Sequence, residues 1–162
     1  MSKQKHKDIF ATSKNKLPIF VLDVDTDSTI QQMISDATSD DVESYIKLEL
    51  DDIRSILNTE GLTSSMSSNC SGSRADKKSL RPLINHYRNC NIKAILICFT
   101  THETFPLMEI SEAMNEVNKV FDKDEEIILS VLIDNTLDVD EVHTNSIIKH
   151  RGNVKCQKKQ DS

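Results

Sequence analysis

Two unbroken apolar runs dominate the chain, Ala94-Ile95-Leu96-Ile97-Cys98-Phe99 and Ile127-Ile128-Leu129-Ser130-Val131-Leu132-Ile133. Short runs of this kind, bounded by polar turns, predict buried strands. Between them Leu107, Ile110, Met114, Val117 and then Val120 or Phe121 recur at spacings of three and four. Glu109, Glu112, Asn115, Glu116 and Lys119 fill the opposite face. That period predicts an amphipathic helix, with Pro106 in its first turn, where a missing N–H costs nothing, and Asp122-Lys123-Asp124 at its end. Two buried strands joined by a helix predict a parallel, right-handed βαβ unit with one sheet face covered by the helix.

The flanking segments are read by the same rules. Leu17 to Asp23 reads as a strand, Ile30 to Ser35 as a short helix, and the acidic stretch from Asp36 to Glu43 as a break. From Leu50 the helical period resumes through Ile53, Ile56 and Leu57, with Asp51 and Asp52 in the first turn, where the helix dipole favours them. Gly61 is the expected C′ residue. Leu62 to Ser73, a Ser/Met-rich tract of Ser, Thr, Met and one Gly, is by composition a flexible loop. Arg74 to Tyr87 reads as a helix that Pro82 kinks or restarts. After Ile133 a turn-rich segment leads to Val142–Ile148, an expected strand returning antiparallel.

At 162 residues the chain is one domain with tails, large enough to bury a core. Trp is absent and aromatics make up 4%, so Ile, Leu, Val and Met must fill that core. The net charge of −6 argues against general nucleic-acid binding, which needs a basic surface. Lysines cluster at both ends, from Lys3 to Lys16 and from Lys149 to Lys159, as solvated tails do. No apolar run approaches the roughly 20 residues of a membrane span, and no signal-peptide stretch is found, so the expected location is cytoplasmic. Cys70, Cys90, Cys98 and Cys156 lack paired spacing and are expected to be reduced thiols. His86 and Cys90 would share a helix face, but two potential ligands make no zinc site.

Asp23, Asp25 and Asp27 invite a calcium-loop reading, which fails because Ser28 and Ile34 stand where glycine and glutamate are needed. The Asp-Val-Asp-Thr run from Asp23 also resembles the nucleophile motif of haloacid-dehalogenase-type phosphatases. There the first Asp would attack phosphorus and Asp25 would handle the proton. The later lysine and acidic pair which that family needs are not placed in this sequence.

Three runs together resemble the C-terminal domain of FtsZ, the bacterial tubulin-like division protein. Leu48-Glu49-Leu50-Asp51-Asp52-Ile53-Arg54 is similar to the family's synergy loop and the helix that follows it. Ile92 to Ile97 followed by Leu107-Met108-Glu109-Ile110-Ser111-Glu112-Ala113 is similar to its strand, turn and helix. Glu126 to Glu141 is similar to its last hairpin. The resemblance covers roughly residues 44 to 150, with residues 1–43 as an N-terminal extension and 151–162 as a basic polar tail.

The fold this resemblance implies is α/β: a two-layer sandwich with a mixed four-stranded sheet, a parallel βαβ core and packed helices. It also implies that the Ser/Met-rich tract is a strand. Whole FtsZ carries an upstream GTP-binding domain with a glycine-rich phosphate loop, whereas this chain has three glycines, Gly61, Gly72 and Gly152. No cofactor and no GTP hydrolysis are therefore expected. In the family the synergy loop enters the next subunit's nucleotide pocket. Its asparagine and two acids fall at Lys47, Glu49 and Asp52, so these three are the expected partner-binding residues. The implied role is a non-catalytic module binding or capping FtsZ filaments, the partner being FtsZ or a separately encoded GTPase domain. The alternatives are a truncated or decayed FtsZ without independent activity and, last, an Asp-nucleophile phosphatase that rests on Asp23 and Asp25 alone.

Overall fold

The computed structural model describes residues 27–121 and 125–151. The expected strand from Leu17 to Asp23, the residues Asp23 and Asp25, the helix end at 122–124 and most of both lysine-rich ends lie outside them.

Helix α1 spans Ser28–Thr38 and buries Ile30, Met33 and Ile34, an i, i+3, i+4 set. Asp27 is its N-cap: one carboxylate oxygen accepts from the Ile30 N–H at 3.0 Å. The helix is longer than the Ile30–Ser35 expectation, running through Asp36 before ending where the Thr38 hydroxyl donates to the Ile34 carbonyl at 2.9 Å. Strand β1, Glu43–Ile46, follows, starting at the last residue of the expected break and running through residues for which the sequence predicted no element. Helix α2, Leu50–Asn58, buries the expected Ile53, Ile56 and Leu57. Its C-cap is Thr59, so Gly61 sits one residue beyond the expected C′ position.

The Ser/Met-rich tract is strand β2, Leu62–Cys70, as the family resemblance implied and as composition did not. Helix α3, Ala75–Tyr87, contains Pro82 without restarting. Pro82 and Lys78 are both exposed, so the carbonyl that loses its helical donor faces water. The βαβ unit is built as expected from β3 (Ile92–Thr101), α4 (Leu107–Val120) and β4 (Glu126–Ile133). Strands β3 and β4 are parallel, with Ala94 opposite Glu126 and Thr101 opposite Ile133. Strand β5, Val142–His150, is antiparallel, but it does not form a hairpin with β4. Residues 134–141 pass over the end of β3, where the Asp134 N–H donates to the Thr101 carbonyl at 2.9 Å, and β5 pairs with β3 and β2.

The sheet has five strands in the order β1-β4-β3-β5-β2, one more than expected, the addition being the short edge strand β1. The alternation of β3 divides the core in two. Ile95, Ile97 and Phe99 face α3 and α4, packing with Leu80, Leu83, Ile110 and Val117. Ala94, Leu96 and Cys98 face the other way, against Ile30, Met33, Ile34, Ile53 and Ile56 of α1 and α2. Helices therefore cover both faces of the sheet. Because α1 supplies three fully buried side chains, the packed body begins upstream of residue 44. Burial raises the Cys98 thiol far above its ordinary value, making it a core side chain without nucleophilic use. Cys70 is a second free thiol, whereas Cys90 is disulfide-bonded, against the expectation of reduced thiols throughout.

Candidate functional site

The three residues singled out in sequence lie where β1 turns into α2. Strand β1 pairs with the C-terminal half of β4, Glu43 opposite Ile133 and Ile46 opposite Val131, with an irregularity between Ser44 and Ile46. The chain then leaves the sheet edge, and the Ser130 hydroxyl donates to the Lys47 carbonyl at 3.3 Å. Leu48 is buried against α2 and the sheet, which anchors the turn. With Leu48 turned inward, its neighbours Lys47 and Glu49 are both exposed.

Glu49 is the N-cap residue of α2, yet its side chain makes no capping hydrogen bond. Its carbonyl instead accepts from the N–H groups of Asp52 and Ile53, at 3.0 and 3.3 Å. Asp52 is half-buried in the first helical turn, beside Asp51, which pairs with Arg54 at 3.0 Å. Among the described residues, the side chains of Lys47, Glu49 and Asp52 make no hydrogen bond or ion pair. The structure thus brings a cation and two carboxylates onto one short, anchored turn and leaves their charges available to an incoming group.

Sequence reasoning missed two apolar neighbours. Tyr45 and Ile46, immediately before the turn, are 46% and 42% exposed on the edge strand. The Tyr45 hydroxyl donates to the Glu103 carbonyl at 2.6 Å, tying β1 to the loop that leads into α4. The signal was present in the alternation of Glu43-Ser44-Tyr45-Ile46, but the run is too short to carry a strand by itself.

A separate polar pocket of about 490 Å³ lies between α1 and the carboxyl end of β3. Its walls include Gln32, Asp36, Thr100, Asp134, His143 and Asn145, and none of the three turn residues. Burial raises the Asp36 carboxyl pKa, opposed by the Gln32 hydrogen bond and assisted by repulsion from Asp134. Asp134 is held below the carboxylate range by hydrogen bonds from the Thr136 hydroxyl and N–H, at 2.6 and 2.9 Å. His143 Nε2 lies 2.8 Å from a Glu141 oxygen, and that contact lowers the Glu141 pKa. Among the described residues no group of three or more His, Cys, Asp or Glu side chains could hold a metal ion, and no helix is long and apolar enough to cross a membrane.

No protein-family model and no curated protein matches the chain by sequence. Its fold does match solved structures. An empty FtsZ dimer from M. jannaschii superposes with a TM-score of 0.60 at 18% identity, over 87% of this chain and 42% of the FtsZ chain. A tryptophan-to-tyrosine variant of FtsZ from the same organism gives 0.62 at 18% identity, over 87% and 43%. The likeness to the FtsZ C-terminal domain read from three sequence runs is borne out as a likeness of fold. The chain spans about two fifths of the length of the FtsZ chains it matches.

Proposed function

We propose that the protein is a non-catalytic, FtsZ-like module that binds FtsZ through the turn carrying Lys47, Glu49 and Asp52 and caps filament ends. The observation that carries this reading is the turn itself: three charged side chains that have no hydrogen bond or ion pair among the described residues, held by buried Leu48, on a chain with part of the FtsZ fold. A subunit that can enter a neighbour's nucleotide pocket but lacks a nucleotide face of its own terminates a head-to-tail chain, because such growth needs two different patches per subunit. The three glycines of this sequence form no phosphate-cradling loop, so the chain contributes no GTP site.

Filament length measured by electron microscopy tests the proposal, with the protein added below the FtsZ concentration. The expected result is shorter filaments and lower GTP turnover, with both effects weakened by Lys47→Ala and Asp52→Ala in variants that still unfold cooperatively. Unchanged filament length at equimolar protein, or undiminished binding by both variants, overturns it and leaves the decayed-FtsZ reading in front. If the partner is instead a separately encoded GTPase domain, mixing the two restores turnover rather than reducing it.

A further inference from the structure

The two edges of the sheet are built differently. On one side, β1 is four residues long, irregular in register and begins with Glu43, features that discourage pairing with another chain. On the other side, β2 is nine residues long and pairs with β5 in unbroken register, from Leu62 opposite His150 to Cys70 opposite Val142. It contains no charged residue and no proline, in a chain that is 28% charged. Among the described residues its outward backbone groups have no hydrogen-bond partner. A long, regular, uncharged edge is a template for a further strand.

The sequence of β2 identifies the strand that fits. Leu62-Thr63-Ser64-Ser65-Met66-Ser67-Ser68-Asn69-Cys70 is nearly symmetric about Met66. From this we infer that β2 pairs with β2 of a second copy of this chain, antiparallel about a twofold axis at Met66, joining two sheets into one of ten strands. A twofold axis perpendicular to the sheet keeps each side chain on its own face, so a strand can oppose itself only in registers that shift by two residues. The register centred on Met66 alone pairs all nine residues.

In that register Met66 meets its counterpart, Ser65 meets Ser67, Ser64 meets Ser68, and Thr63 meets Asn69. Hydroxyl and amide pairs of this kind stabilise antiparallel strands, and no like charges are opposed. The same register sets Leu62, which is 58% exposed, against the half-buried free thiol of Cys70. It therefore covers the most exposed apolar side chain of the strand. Met66 and Cys70 already pack on the core beneath α3, so the joined strands continue that apolar surface across the axis.

Sedimentation velocity on the full chain over a dilution series tests self-association, and Leu62→Cys tests the register. Within one chain residues 62 and 70 stand eight residues apart on a strand, about 26 Å, too far for a disulfide. Across the proposed axis they are directly opposed. The expected result is a concentration-dependent dimer that Ser67→Lys dissociates without loss of cooperative unfolding, and a covalent dimer of Leu62→Cys under mild oxidation that Cys70→Ser abolishes. A wild-type chain that stays monomeric at every concentration overturns the inference. So does a dimer insensitive to Ser67→Lys and uncrosslinked in Leu62→Cys, which would mean that another surface joins the copies. Dimerisation that appears only after deletion of residues 1–26 overturns it as well, by assigning the edge to the chain's own N-terminal segment.

Discussion

Gly61 passes so close to His150 that no side chain fits between them: a Cβ built on Gly61 would stand 2.7 Å from the His150 carbonyl oxygen. The glycine also adopts φ 127°, a conformation that L side chains rarely take. Both constraints arise because the chain leaving α2 must turn into β2, which begins opposite the last residue of β5. The obstructing atom is backbone, held by strand pairing, and cannot swing away. Gly61→Ala should therefore destabilise the protein by about 2 kcal/mol or more in denaturant titration. A loss below about 0.5 kcal/mol would show that the turn relaxes freely.

Asp27 joins two elements that are far apart in sequence. One carboxylate oxygen caps α1 through the Ile30 N–H, and the other accepts from the Ser65 hydroxyl on β2. Asp27→Ala should cost about 1–2 kcal/mol, the range for a lost N-cap plus one polar contact. Asp27→Asn keeps one acceptor oxygen for the Ile30 N–H and turns an amide donor toward the Ser65 hydroxyl, which can accept from it, so it should cost less. A double-mutant cycle with Ser65→Ala measures the second contact by itself: a coupling indistinguishable from zero would leave Asp27 as a cap alone.

The parts of the fold legible in sequence are those where burial and period agree. Strands β3 and β4 are covered on both faces and so read as continuous apolar runs, and α4 between them shows a clean helical period. Strand β2 could not be read from composition because it is an edge strand of small, half-exposed side chains, which gives neither alternation nor a run. Strand β1 is a strand through its pairing with β4 rather than through its own four residues. The path of β5 was hidden for a different reason: a connection of eight residues can close a hairpin or cross a neighbouring strand, and the pattern of Val142–His150 is the same in both. Of the candidate sites, the turn at Lys47–Asp52 was reached through family resemblance. The polar pocket draws Gln32, Asp36, Thr100, Asp134 and His143 from four separate elements and loops, a grouping with no local signature.

His150 gives the stability a predictable pH dependence. Its ring is nearly buried, and its Nε2 lies 2.8 Å from the Ser64 hydroxyl. Burial lowers its pKa below the ordinary 6.5, helped by the neighbouring charges of His86 and Lys149. The folded state therefore takes up the proton less readily than the unfolded chain, so stability falls as pH drops through the unfolded value and levels off below the folded one. The unfolding midpoint should decrease from about pH 7.5 to about pH 5.5, a range in which the lowered Asp134 and Glu141 carboxyls stay ionised. His150→Gln retains an amide nitrogen for Ser64 and cannot titrate. Its midpoint should vary less over the same range, and a slope equal to that of the wild type would assign the effect to another group.

The chemistry of the proposed contact can be separated from its affinity at two positions. The turn presents Lys47 where the family resemblance expects an asparagine, and Glu49 where it expects an aspartate. Glutamate carries its carboxylate one methylene further out, and a displacement of about 1 Å at a reacting centre can lower a rate roughly a hundredfold. Lysine offers a point charge that can pair with phosphate but cannot position a water as a neutral amide does. Both side chains are exposed and make no hydrogen bond or ion pair among the described residues, so exchanging them disturbs no described contact. The double variant Lys47→Asn, Glu49→Asp should therefore keep the wild-type midpoint and still shorten FtsZ filaments. On the capping proposal it should also recover part of the GTP turnover that the wild-type protein is expected to suppress, because the capped pocket would then face the groups that the family resemblance assigns to orienting the attacking water. If the double variant shortens filaments while turnover stays at the wild-type level, the turn binds without facing the nucleotide, and the contact lies elsewhere on the FtsZ surface.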